Sequence, residues 1–175
     1  DIQYSLSTPS KTKNFNDVSN KHWAYNSIAK LTNQGILAGY PDGSFKPNLN
    51  ITVREFATIL SRYLSQLPSS RVRPFESKSS FDLPKNSWGY LELQSVLDRI
   101  PKNKLYNFNT SNLDRYITRE EVAFLIANTI HFNETTYAPL YFSDVAPSKF
   151  YYEIQLLFNN NMLGGYPDHT FRPSN

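Results

Sequence analysis

Two threonines, Thr52 and Thr118, each precede a glutamate by three positions, with an arginine between them. The stretches read Thr52-Val53-Arg54-Glu55 and Thr118-Arg119-Glu120-Glu121. Threonine with glutamate three residues on is a capping box, in which each side chain satisfies an amide that the start of a helix leaves unpaired. The arginine is less ordinary, because a cation in the first turn opposes the helix dipole by roughly 0.3–1 kcal/mol. A bound carboxylate would reverse that sign, since helix N-termini and guanidinium groups both favour anions. Arg119 and Arg54 are therefore candidate contacts for an anionic ligand. The one-position shift between them rotates the side chain by about 100° around the helix.

A second spacing involves acids and aromatics. Asp17, Asp82 and Asp144 are each followed six positions later by a large ring: Trp23, Trp88 and Phe150. The aspartates are expected to cap the helices that follow them. The rings are expected in the core, with a sugar-stacking platform as the alternative use. His22, His131 and His169 show no ligand spacing, and Asp42-x-Ser44 is too short for a calcium loop, so no metal or other cofactor is implied. No Ser/His/Asp arrangement or acid pair stands out, which points away from an enzyme.

Composition sets further bounds. The chain has 175 residues, 39% hydrophobic and 19% charged, enough for a folded domain with a real core. Eighteen basic and 15 acidic residues leave a net charge of +3, scattered and too small to argue for nucleic acid. With no cysteine, neither a disulfide framework nor a thiolate metal site is available. The longest apolar stretch, Val122–Ile130, is half what a membrane span needs and contains Asn128. The polar start at Asp1 has no signal-peptide pattern, so the leader of an exported protein is expected to lie outside these residues. The 26 aromatic residues suit a carbohydrate binder, and helix packing uses the same residues.

These groups fall on a repeat. The three aspartates stand 65 and 62 residues apart, and Trp23–Thr52 and Trp88–Thr118 span 29 and 30 positions. Each unit reads as helix, turn loop, helix, an all-α organisation. Trp23, Ile28 and Leu31, like Trp88, Leu91, Val96 and Ile100, fall near helical spacing. Tyr40-Pro41-Asp42-Gly43 is a turn in which proline presets the first central residue and glycine relieves the last. Second helices follow the capping boxes, with Phe56, Ile59 and Leu60, and Val122, Leu125 and Ile126, as their apolar residues. The expected organisation is a polar segment 1–14, repeats at 15–67, 80–132 and 141–175, and connections at 68–79 and 133–140. The second repeat lacks the Gly-Tyr-Pro-Asp loop, and the third stops before its second helix.

Phe15-x-Asp17-Val18, Trp23, Gly35-Ile36, Gly39-Tyr40-Pro41-Asp42-Gly43-x-Phe45-x-Pro47 and Ile51-Thr52 together resemble the surface-layer homology (SLH) repeat of bacterial envelope proteins. Gly165-Tyr166-Pro167-Asp168 through Pro173 carries the resemblance into the third unit. Asp82, Trp88 and Ile117-Thr118-Arg119-x-Glu121 carry it into the second. The resemblance implies a pseudo-three-fold spindle with a central helical bundle. It also implies grooves that bind a cell-wall polysaccharide, in some relatives one bearing a pyruvate ketal, in others a peptidoglycan-linked polymer. The family's Thr-Arg-x-Glu arginine contacts the anionic sugar, and its loop shapes the groove wall. The expected ligand residues are thus Arg119, Arg54, Asp17, Trp23, Gly39, Tyr40, Asp82, Trp88, Asp144, Gly165 and Tyr166.

The expected role is non-catalytic anchoring of an exported protein at the bacterial cell surface, cell wall or S-layer. Competing readings are a structural subunit that uses the repeats for protein–protein contacts, and an anchored enzyme whose catalytic domain lies elsewhere. Without a second helix in repeat three, apolar surface would be exposed. The chain is therefore expected to continue, or another copy or chain to supply the missing helix.

Overall fold

Both capping boxes form. In the computed structural model, which describes residues 14–76, 78, 81, 83–132 and 139–175, Thr52 and Thr118 each accept the amide of the glutamate three residues on, while Glu55 and Glu121 reach back to the cap amides. The described residues contain six α-helices: α1 Tyr25–Asn33, α2 Val53–Gln66, α3 Tyr90–Leu97, α4 Lys102–Leu105, α5 Arg119–Thr129 and α6 Tyr151–Asn159. A 3-10 turn covers Ser69–Arg71, and the only extended pairings among the described residues are the isolated bridges Thr52–Tyr116 and Val72–Ile130. Among the described residues no helix is long and apolar enough to cross a membrane.

The chain divides into two compact units, Asp1–Leu49 and Asn50–Asn175, so the division falls inside the first sequence repeat. In the first unit Ile28 of α1 packs with Phe15 and Val18, and Tyr25 of the same helix and Phe45 lie against this cluster. Its helix ends in a Schellman motif: Gly35, at φ 72°, donates to the Thr32 carbonyl and Ile36 to that of Leu31. The same pattern ends α6, where Asn161 takes the left-handed position at φ 56°. Asn161 there donates to Phe158 and Met162 to Leu157.

The second unit is organised around α5, which is buried on most of its circumference. Phe124 and Leu125 pack with Val53, Ala57, Leu60 and Leu64 of α2 and Leu93, Val96 and Leu97 of α3. Ala123 and Ala127 meet Ile154 and Leu157 of α6, together with Phe142, Val145 and Phe171. The polar residues on α5 are satisfied locally. Asn128 Nδ2 donates to the Phe124 carbonyl at 2.9 Å and Thr129 Oγ1 to that of Leu125 at 2.7 Å. Glu121 lies between both guanidinium nitrogens of Arg115, at 2.6 and 2.7 Å.

Two expectations about the core change. Trp23 and Trp88 precede their helices rather than opening them, and they are 91% and 58% exposed. Leu91 is also exposed, because α3 turns Leu93, Val96 and Leu97 inward and Leu91 lies on the other face.

Candidate ligand site at the helix starts

A helix start leaves its first amides without intrahelical partners. In this chain loop carbonyls take them. Val53 and Arg54 donate to the carbonyls of Arg115 and Leu113, both at 3.0 Å. Arg119 and Glu120 donate to those of Asn175 and Pro173, at 2.7 and 3.0 Å. With the threonine caps on the third amide, the first turns of α2 and α5 have no main-chain donor left for an anion.

The two arginines do different work. Arg119 Nε donates to the Phe171 carbonyl at 2.8 Å and Nη2 to that of Gly164 at 3.2 Å. Its guanidinium lies over the rings of Phe171 and Tyr166, at 4.6 and 5.1 Å. Partner carbonyls thus meet the cation that the helix dipole disfavours. Arg54, one position further on, is buried at 5% exposure. Its Nη2 pairs with Asp114 at 2.6 Å, its Nη1 donates to the Trp88 carbonyl at 3.2 Å, and Nε is buried without a partner. Gly89 makes the room: a Cβ there would stand 3.0 Å from Arg54 Cγ. Arg54 is an internal strut.

Asp17 and Asp144 do not cap helices. Asp17 accepts the amides of Phe45 and Lys46 at 2.8 and 2.6 Å, and Asp144 those of Phe171 and Arg172, both at 2.8 Å. Each carboxylate therefore clamps the far end of its own repeat's loop, about 28 residues on. This binding lowers both pKa values. For Asp17 the Phe45 amide is the main cause, while for Asp144 partial desolvation pushes upward and the amides of Phe171 and Arg172 outweigh it. Asp82 lies outside the described residues.

Helix register resolves the aromatic spacing. Tyr25, Tyr90 and Tyr151 open α1, α3 and α6, and their amides donate to the carbonyls of His22, Ser87 and Ser148. The residues just before the caps are therefore Trp23, Trp88 and Lys149, and the caps are Ala24, Gly89 and Phe150. The third repeat is one residue shorter in this turn, so Phe150 drops into the cap position. It is 1% exposed and packs on Phe124 at 4.5 Å. Lys149 takes the exposed place and donates to the Asn107 carbonyl at 2.8 Å.

Gly39 and Gly165 serve packing. A Cβ on Gly39 would run into the Phe15 ring and stand 2.8 Å from the Ser44 carbonyl. On Gly165 it would run into Phe142 and stand 2.6 Å from the Thr170 carbonyl. The tyrosines that follow face cations: Lys46 lies 4.1 Å over Tyr40 and Arg172 lies 4.0 Å over Tyr166. Asp168, which accepts from Thr170 and Arg172, has its pKa lowered to about 2.

Around this loop an open pocket of about 640 Å³ is lined by Glu120, Asp144, Pro147, Ser148, Lys149, Arg172, Pro173, Ser174 and Asn175. Ser148 Oγ donates to Glu120 at 2.6 Å. Lysine, arginine, carboxylate and hydroxyl groups converge here, a set able to exchange hydrogen bonds with a polyhydroxylated ligand. Sequence reasoning missed Lys149 and Ser148, because the shortened turn hid their register, and Glu120, because its motif was read for the cap and the arginine. Arg172 had a signal, since Lys46 holds the same place before proline in repeat one.

The profile of the S-layer homology domain matches residues 14–57 and 141–175. Cell surface glycoprotein 1 of Acetivibrio thermocellus is 29% identical over 90% of this chain. The cellulosome-anchoring protein of the same organism is 43% identical over 30% of it, and outer membrane protein alpha of Thermotoga maritima 52% over 29%. The chain spans only 7%, 12% and 12% of the lengths of these three relatives.

Proposed function

We propose that this chain, whose residues 14–57 and 141–175 match the S-layer homology domain, is a non-catalytic anchoring module that holds an exported protein on the bacterial cell surface. Its ligand in this reading is an anionic cell-wall polysaccharide. The observation that carries the reading is the pocket at Lys149 and Arg172. These two cations suit an acidic sugar substituent, and Glu120 and Ser148 suit its hydroxyl groups. The names of the relatives, a cell surface glycoprotein and a cellulosome-anchoring protein, support the location and the role.

A second reading, a subunit of a surface assembly held by protein contacts, is favoured by repeat two. There Asp114 is paired with the buried Arg54 of repeat one, and Trp88 is exposed without a Gly-Tyr-Pro-Asp loop beside it. Co-sedimentation with purified wall sacculi, before and after the wall polysaccharide is stripped, separates the two. Anchoring requires that binding be lost with the polymer and that Lys149→Glu weaken it about tenfold, roughly 1.4 kcal/mol. Binding that survives stripping unchanged rejects the polysaccharide.

A further inference from the structure

We infer that the open pocket at Lys149 and Arg172 takes a zwitterionic stretch of polysaccharide, in which a free amino group on one sugar accompanies the acidic substituent. The inference rests on the reading of this pocket as a polysaccharide site. It adds that Glu120 receives an ammonium group, a more specific partner than a hydroxyl.

Two neighbouring glutamates part company at the start of α5. Successive residues of a helix point about 100° apart, and here Glu121 turns inward to Arg115 while Glu120 lines the pocket. Ser148 Oγ holds one Glu120 oxygen at 2.6 Å. Among the described residues no lysine, arginine or histidine forms an ion pair with this carboxylate. The other carboxylate of the pocket, Asp144, is occupied, because its two oxygens accept the amides of Phe171 and Arg172. The cations have partners elsewhere: Arg172 pairs with Asp168 at 3.0 Å, and Lys149 donates to the Asn107 carbonyl at 2.8 Å. Each keeps further N–H donors for an acid, but neither neutralises Glu120.

The matching place on α2 shows the same position balanced from within the chain. Arg54 is the second residue of α2 as Glu120 is of α5. Arg54 is buried, with Asp114 at 2.6 Å and the Trp88 carbonyl at 3.2 Å as its partners. Trp88 precedes the cap of α3 as Lys149 precedes that of α6. One helix start therefore brings a cation, matched by an acid of the same chain. The other brings an acid with no matching cation, on the wall of an open pocket. The helix dipole favours an acid in a first turn, which accounts for Glu120 at this position but not for the open space in front of it. A primary ammonium supplies positive charge and N–H donors together, the combination that a carboxylate on a pocket wall selects. On a polysaccharide that group belongs to an amino sugar left unacetylated.

The test uses wall polysaccharide released from sacculi and freed of peptide, so that no peptidoglycan amine takes part. One portion is N-acetylated with acetic anhydride, which removes the ammonium groups and leaves the acids. Calorimetric titration into the 175-residue chain should show about tenfold weaker binding after acetylation. Glu120→Gln keeps an acceptor for Ser148; it should lose the same factor on untreated polymer and nothing further on acetylated polymer. Lys149→Glu should weaken both forms alike. The inference is overturned if acetylation leaves binding by the unaltered chain unchanged, or if Glu120→Gln binds untreated polymer as tightly as that chain. The polysaccharide reading then still stands so long as Lys149→Glu weakens binding. If neither form of the polymer binds, that reading fails and the inference fails with it.

Discussion

The amide of Arg119 donates to the carbonyl of Asn175 at 2.7 Å, so the loop of one repeat completes the helix start of the repeat before it. Val53 and Arg115 stand in the same relation at 3.0 Å. Each helix start and the loop that receives it are therefore mutually dependent, because either alone leaves polar backbone groups unpaired. Residues that read as ligand contacts are partly spent on this interlock.

The Arg54–Asp114 pair is asymmetric, since Arg54 is buried while the Asp114 side chain is 62% exposed. Asp114→Ala strands a guanidinium in the interior and is expected to cost about 3 kcal/mol. Arg54→Met removes the charge, keeps most of the volume and leaves Asp114 in water, so its cost should be smaller, about 1–2 kcal/mol. Urea unfolding of the two variants measures the order; an equal or reversed cost contradicts the account of Arg54 as a buried strut.

Gly165→Ala should destabilise by about 1–3 kcal/mol, since the new methyl meets Phe142 and the Thr170 carbonyl. Gly164→Ala, one residue away, meets nothing within 4 Å and should be nearly neutral. Thermal melts of the two neighbours distinguish a packing glycine from one needed only for chain flexibility.

Arg119→Lys keeps the charge and loses the forked geometry that reaches the Phe171 and Gly164 carbonyls together. Faster amide exchange is expected across residues 164–175, with a stability loss of about 1 kcal/mol. If exchange there is unchanged while polysaccharide binding falls, Arg119 is a ligand contact rather than a loop tie.

Acid should unfold the chain through its clamped carboxylates. Asp17, Asp144, Asp168 and Glu121 all have lowered pKa values in the folded state, Glu121 because its bonds to Arg115 and Thr118 outweigh the desolvation that would raise it. The unfolded chain thus binds more protons in this range. The stabilisation is present above the ordinary carboxylate pKa near 4 and is lost as pH falls toward 2. Unfolding midpoints between pH 5 and 2 test this, and Asp168→Asn should flatten the lower part of the curve; a midpoint independent of pH refutes it.

Much of this was legible in sequence. Thr52-x-x-Glu55 and Thr118-x-x-Glu121 identified two helix starts, because a capping box is a local device. The Gly-Tyr-Pro-Asp turns were legible for the same reason. The partners of Asp17 and Asp144 were not, since an aspartate before a helix reads as a cap, and nothing local reveals amides 28 residues away. Phe150 lies in the core as expected while Trp23 and Trp88 do not, because the six-residue spacing is shared and the turn beneath Phe150 is one residue shorter. Arg54 could be located on its helix, but its burial depends on Gly89 and Asp114 in another repeat.

The turn before the first helix of each repeat also bears on how the units diverged. Trp23, Trp88 and Lys149 occupy one geometric place, and a single-residue difference in length exchanges an aromatic for a cation there. The aspartate clamp and the Schellman ending stay the same in the first and third copies. This turn is a variable cassette on a constant frame, so duplicated units can acquire separate surface chemistries while their buried contacts remain common, and one repeat cannot be exchanged for another without changing what the surface presents.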